Sequence, residues 1–147
     1  FFEDLGTTKH YIPISTQSTS EQASDGNTFT DFLAPCTIRV HEVMLKLPGT
    51  TTGSGDITIG IETSNIGSSV FLKSVIETET VSVTSSNDND IVHFMFDNSS
   101  HATRGQNLSI SIQCSADLSG SQNRYANAIV EFDWSTRYSG SSALQTS

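Results

Sequence analysis

The stretch FLAPCTIRVHEVMLKLPG, residues 32–49, decides the fold. Cys36, Ile38 and Val40 fall on even positions, and Val43, Leu45 and Leu47 continue on odd ones. Successive side chains of a β-strand point to opposite faces, so an uninterrupted strand would bury one triplet and expose the other. One extra residue at His41-Glu42, a β-bulge, returns both triplets to the same face. The stretch is therefore predicted to be a bulged core strand, with Arg39 and Lys46 facing water. Pro35 near its start and Pro48-Gly49 at its end mark the boundaries. A helix competes, because Val40, Met44 and Leu47 suit helical spacing. The β-branched residues and the flanking prolines favour the strand.

Outward from this strand the same period of two recurs. DITIGIE, residues 56–62, alternates Ile57, Ile59 and Ile61 with polar partners, and Gly60 on its outer face is a place for another backbone to approach. Residues 91–96 place Val92, Phe94 and Phe96 inward, and residues 107–115 do the same with Leu108, Ile110, Ile112 and Cys114. Residues 124–134 put Ala126, Ala128, Val130, Phe132 and Trp134 on one face, and 28–33 and 79–84 read as shorter strands. Residues 70–76 fit a strand or one helical turn equally. Gly/Thr/Ser and Asn/Asp clusters separate these runs, among them SSNDND at 85–90 and a loop over 97–106 that Gly105 closes. About eight strands without a convincing helix predict an all-β antiparallel sandwich, jelly-roll-like. The expected organisation is an N-terminal docking or linker segment over 1–15, a sandwich domain over 16–138 and a flexible tail over 139–147. Phe1, Phe2, Leu5, Tyr11, Ile12 and Ile14 make the first segment too apolar to leave in water, and it is expected to dock on the domain or on a neighbouring subunit. The chain begins at Phe1, with no signal-peptide pattern; either an N-terminal part has been removed or, the favoured expectation, it is a piece of a longer polypeptide.

Composition narrows the function classes. A net charge of −9 with only seven Lys and Arg argues against nucleic acid as a partner, because phosphate neutralisation needs cations. No apolar run approaches the roughly 20 residues of a membrane-spanning helix, so no membrane role is expected. No catalytic, cofactor or metal site is expected either. His10, His41, His93 and His101 lack metal-ligand spacing, no nucleophile elbow is present, and Glu62, Glu77 and Glu79 fall at outward or loop-edge positions. Asn87, Asp88, Asn89 and Asp90 lack the Gly and distal Glu of a calcium loop and read as a hairpin turn. Asn98-Ser99-Ser100 and Asn107-Leu108-Ser109 match the glycosylation sequon. Cys36 and Cys114 are both on inward phases, as small buried residues or as a disulfide if the two strands approach closely enough. For carbohydrate binding, Tyr125 and Tyr138 are the exposed aromatic candidates, while Trp134 takes an inward phase.

Four runs carry a family resemblance: KHYIPIS at 9–15, FLAPCTIRV at 32–40, RGQNLSISIQ at 104–113 and AIVEFDW at 128–134. Together they resemble β-sandwich modules of structural proteins from tailed bacteriophages, of the kind found in phages of marine bacteria and cyanobacteria. The resemblance implies a non-enzymatic virion component, a fibre or receptor-binding tip or a capsid decoration module, on the particle surface and homotrimeric. It further implies contact with capsid or fibre-shaft proteins and with a host-surface glycan or protein. The alternative expectation is a carbohydrate-binding sandwich module of a secreted bacterial protein.

Overall fold

The structure is a computed structural model of the chain, and it describes residues 6–12, 14, 32–47, 53–65, 73–84, 90–97, 101–118 and 125–133. Among these residues there are nine strands: β1 (His10–Ile12), β2 (Phe32–Leu33), β3 (Thr37–Lys46), β4 (Gly55–Ser64), β5 (Ser74–Val83), β6 (Ile91–Met95), β7 (His101–Ala102), β8 (Asn107–Cys114) and β9 (Tyr125–Asp133). They form two antiparallel sheets, the sandwich that the alternating runs predict. In the first sheet β1 and β2 pair with successive parts of one edge of β8, and β4 and then β5 follow on its other side. In the second, β9 runs the length of β3, while β6 and β7 share the opposite edge of β3. The β3–β9 pair thus encloses the β4–β8 pair along the chain, a jelly-roll-like wrapping.

The bulge lies where the phase slip places it. Val40 pairs with Val130 and Glu42 with Ile129, so His41 has no residue opposite. Its carbonyl is not wasted, because it accepts a 2.9 Å hydrogen bond from the Phe96 amide. Cys36, Ile38, Val40, Val43, Leu45 and Leu47 are all buried, Lys46 is exposed and Arg39 half-buried. Against them pack Ile57, Ile59, Ile61, Leu108, Ile110 and Ile112 from the first sheet, with Phe94 from β6 fully enclosed.

Several elements differ from the sequence reading. The β5 strand starts at Ser74, earlier than 79, because a second register shift between Ile61 and Glu62 accommodates Ile76 and keeps the strand paired. Glu77 and Glu79 are not outward: they sit opposite Ile61 and Ile59, on the inner side of an edge strand. Charges on the inner side of an edge discourage further strand addition, and Glu77 also accepts a hydrogen bond from the Asp97 amide, tying β5 to the end of β6. The face of β9 expected in the core is only partly covered: Ala128 and Phe132 are exposed, Ala126 and Val130 half-buried, because β9 is a sheet edge. The loop over 97–106 contains the short strand β7, and Gly105, at φ 87°, closes it while donating its amide to Ala34 O.

From the N-terminal segment, His10–Ile12 forms strand β1. Tyr11 is buried, and Ile12 and Ile14 pack against the core, through β1 lengthening the chain's own first sheet. Main-chain pairing along the edge of β8 and apolar contact with the core together hold this segment in place. Phe1, Phe2 and Leu5 lie outside the described residues, as do 28–31, 70–72, 85–89, Trp134 and Tyr138.

Candidate functional site

Three places depart from a plain sandwich. The first is a buried carboxylate on the outer face of the first sheet. Glu62 is outward by phase, yet only 2% exposed. Lys9 Nζ donates to its Oε1 at 2.8 Å, Ser111 Oγ to the same oxygen at 2.7 Å, and Tyr11 OH to Oε2 at 3.1 Å. Lys73 Nζ lies over the Tyr11 ring, 3.9 Å from its centre. A buried carboxylate survives only when paired and hydrogen-bonded, and here the donors come from β1, from the residues before it and from β8. The arrangement clamps the N-terminal strand to the sheet.

Room for that clamp comes from small residues. A side chain at Gly60 would place its Cβ 2.6 Å from Ser111 Oγ, the hydroxyl that holds Glu62. The close approach at Gly60 is therefore by a side chain, not by the backbone expected from sequence. The signal that could have found the site was Gly60 facing a Ser109-x-Ser111 run inside strands otherwise rich in isoleucine. Gly60→Ala should cost about 1–3 kcal/mol, by overpacking or by turning the serine away from a charged acceptor. In a Ser111→Ala background the same change should cost much less. Urea unfolding of the four-member cycle measures the coupling, and purely additive effects would rule out this contact.

The second place is a seam. Phe32 of β2 meets Phe132 of β9 edge-to-face, centroids 6.3 Å apart, and closes one end of the gap between the sheets. Farther along, Ala126 and Val130 are too small to reach Ile12 and Ile14, leaving an apolar groove of about 290 Å³ with Val43 and Ile110 at its base. The third is the outer face of the second sheet. His41 Nε2 pairs with Glu131 at 2.9 Å, His93 Nδ1 bonds Glu42, and His101 stands opposite Arg39. Ile91, Met95 and Ile129 are exposed on the same face, with Met44 half-buried among them.

The other residues singled out in the sequence do not converge. Among the described residues no group of three or more His, Cys, Asp or Glu is placed to hold a metal ion. His10 lies in β1, on the other sheet from the remaining three histidines. Asp90 is exposed, and Asn87, Asp88, Asn89 and the Asn98 sequon lie outside the described residues. Asn107 is in β8, with its amide directed at Ser64 Oγ between two paired strands, which is no loop acceptor. Cys36 and Cys114 are both buried, and neither forms a disulfide. Cys36 sits near the start of β8 and Cys114 is its last residue, so the two belong to opposite ends of the core. Tyr125 opens β9, but its side chain is not among those described. The chain matches no protein-family model, no curated protein and no solved structure.

Proposed function

We propose that the chain is a non-enzymatic structural module on the outside of a bacteriophage particle, a fibre or receptor-binding tip or a capsid decoration module, working as a homotrimer. The observation that carries the reading is the convergence of the four runs behind the family resemblance. KHYIPIS contains β1, which pairs with β8 from RGQNLSISIQ, and FLAPCTIRV leads from β2, on β8, into β3, paired with β9 from AIVEFDW. In this chain the four runs thus form one connected set of paired strands. A role in persistence and contact also suits a sandwich whose terminal strand is clamped by a buried ion pair and whose first sheet presents hydroxyls, with Thr58 bonded to Thr80 and Ser82 to Asp56.

Antibodies raised against the purified chain should decorate phage particles from the source culture in negative-stain micrographs, at regular sites on fibres or capsid. Light scattering should give the mass of three chains. Unlabelled particles combined with tight binding to a soluble polysaccharide would replace this reading by the carbohydrate-binding one.

A further inference from the structure

We propose that the copies of this chain meet through the outer face of the second sheet, a second copy packing over Met95, Met44, Ile129 and Ile91. The inference rests on the reading that the chain works as an oligomer, but it needs no particular host or particle. The two outer faces of the sandwich are unlike each other. The first sheet shows water a ladder of Thr58, Thr78, Thr80, Ser82 and Gln113. Among the described residues its exposed large apolar side chains are Leu33 and Val75, apart from each other on β2 and β5, at opposite edges of that sheet. On the second sheet the apolar residues adjoin. Met95 and Ile129 flank Glu42 in one row, 62% and 47% exposed, and Met44 occupies the next row between His93 and Asn127. Ile91, 54% exposed, follows beside Lys46. An adjoining apolar patch ringed by polar groups is the anatomy of an association surface, whereas single exposed residues are ordinary.

Charge selects another copy as the occupant. The whole chain carries −9, and two such chains repel wherever their acidic surfaces meet. This face is nearly balanced: Arg39 and Lys46 answer Glu42 and Glu131, with Asp133 at one end. Its carboxylates are also engaged within the face, Glu42 with His93 and Glu131 with His41. With two cations against three carboxylates, like chains approach here without the repulsion of a strongly acidic surface. Around a three-fold axis, each copy would offer the β6 flank of the face to one neighbour and the β9 flank to the next.

The test is the solution mass of Met95→Glu/Ile129→Glu beside a control, Leu33→Glu/Val75→Glu, that places the same charges on the other sheet. The expected result is a trimer for the unaltered chain and the control, and a single-chain mass for the first variant with an unchanged far-ultraviolet circular dichroism spectrum. Should the first variant lose its fold, Met95→Gln/Ile129→Thr should still raise the half-dissociation concentration at least tenfold over the unaltered chain. A folded first variant that stays trimeric, a milder variant that dissociates no more readily, or a control that dissociates equally would overturn the surface and leave the trimer standing. An unaltered chain that is monomeric at high micromolar concentration would overturn both.

Discussion

Deleting Met44 should unfold the domain, whereas deleting His41 should leave it folded. The His41 side chain contributes one exposed pairing with Glu131. What the backbone contributes is a count: with His41 unopposed, residues on both sides of it face the core. Removing His41 leaves strict alternation, keeps Cys36, Ile38, Val40, Val43, Leu45 and Leu47 on one face and loses the hydrogen bond from the Phe96 amide. Removing Met44 instead turns Leu45 and Leu47 to water or puts Glu42 in the core in place of Val43. All six apolar residues are 1% exposed or less. Exposing one large apolar side chain costs about 1.5–3 kcal/mol and an unpaired buried carboxylate costs more, so the Met44 deletion takes a large part of the roughly 5–15 kcal/mol of a whole domain. Circular dichroism and urea unfolding of the two purified variants decide it. A Met44 deletion that unfolds at the midpoint of the unaltered chain would show that the phase of this strand does not hold the fold.

Val40→Asp is the second large effect. Val40 is fully buried one residue before the bulge, opposite Val130. Its nearest inward strand neighbours are Ile38 and Val43, which offer no hydrogen bond from their side chains. A carboxylate there must be buried unpaired or take up a proton, so the expected cost is about 4 kcal/mol or more. Burial raises the folded-state pKa of such a carboxyl, so stability relative to the unaltered chain should be least impaired at acid pH. It should fall as pH rises through and above the ordinary carboxylate range. Val40→Thr, which keeps the shape, should lose far less. An aspartate variant as stable as the threonine one at neutral pH would mean that the core opens to water at this point.

The parts of the fold legible in the sequence are those where a period of two runs against a fully buried inner face. The bulge, β4, β6 and β8 are of this kind, because Ile57, Val92 and Leu108 each begin a run whose burial depends only on alternation. Legibility failed where burial depends on what another segment does. Glu62 reads as an exposed outward residue until β1 lies beside β8 and delivers Lys9 and Tyr11 to it. Glu77 and Glu79 interrupt the apolar phase of β5, which hides that strand's first half from any hydrophobic pattern. The inner side of β9 alternates as well as any core strand, yet an edge position leaves Phe132 at 40% exposure. Nothing in alternation distinguishes a central strand from an edge.

The nesting of β4–β8 inside β3–β9 has a kinetic side. Thr37 must find Asp133, and β3 has no full-length partner until β9 exists. Chains dominated by such distant pairings fold on the millisecond-to-second scale, because loop closure precedes any reward. At a synthesis rate of about 5–20 residues per second, β3 emerges several seconds before its partner. Through that interval Val43, Leu45 and Leu47 have at most the shorter β6 and β7 beside them. Nascent chains on neighbouring ribosomes are then each other's nearest complementary strands, and yield on overexpression should depend more on translation speed and temperature than on the stability of the finished domain.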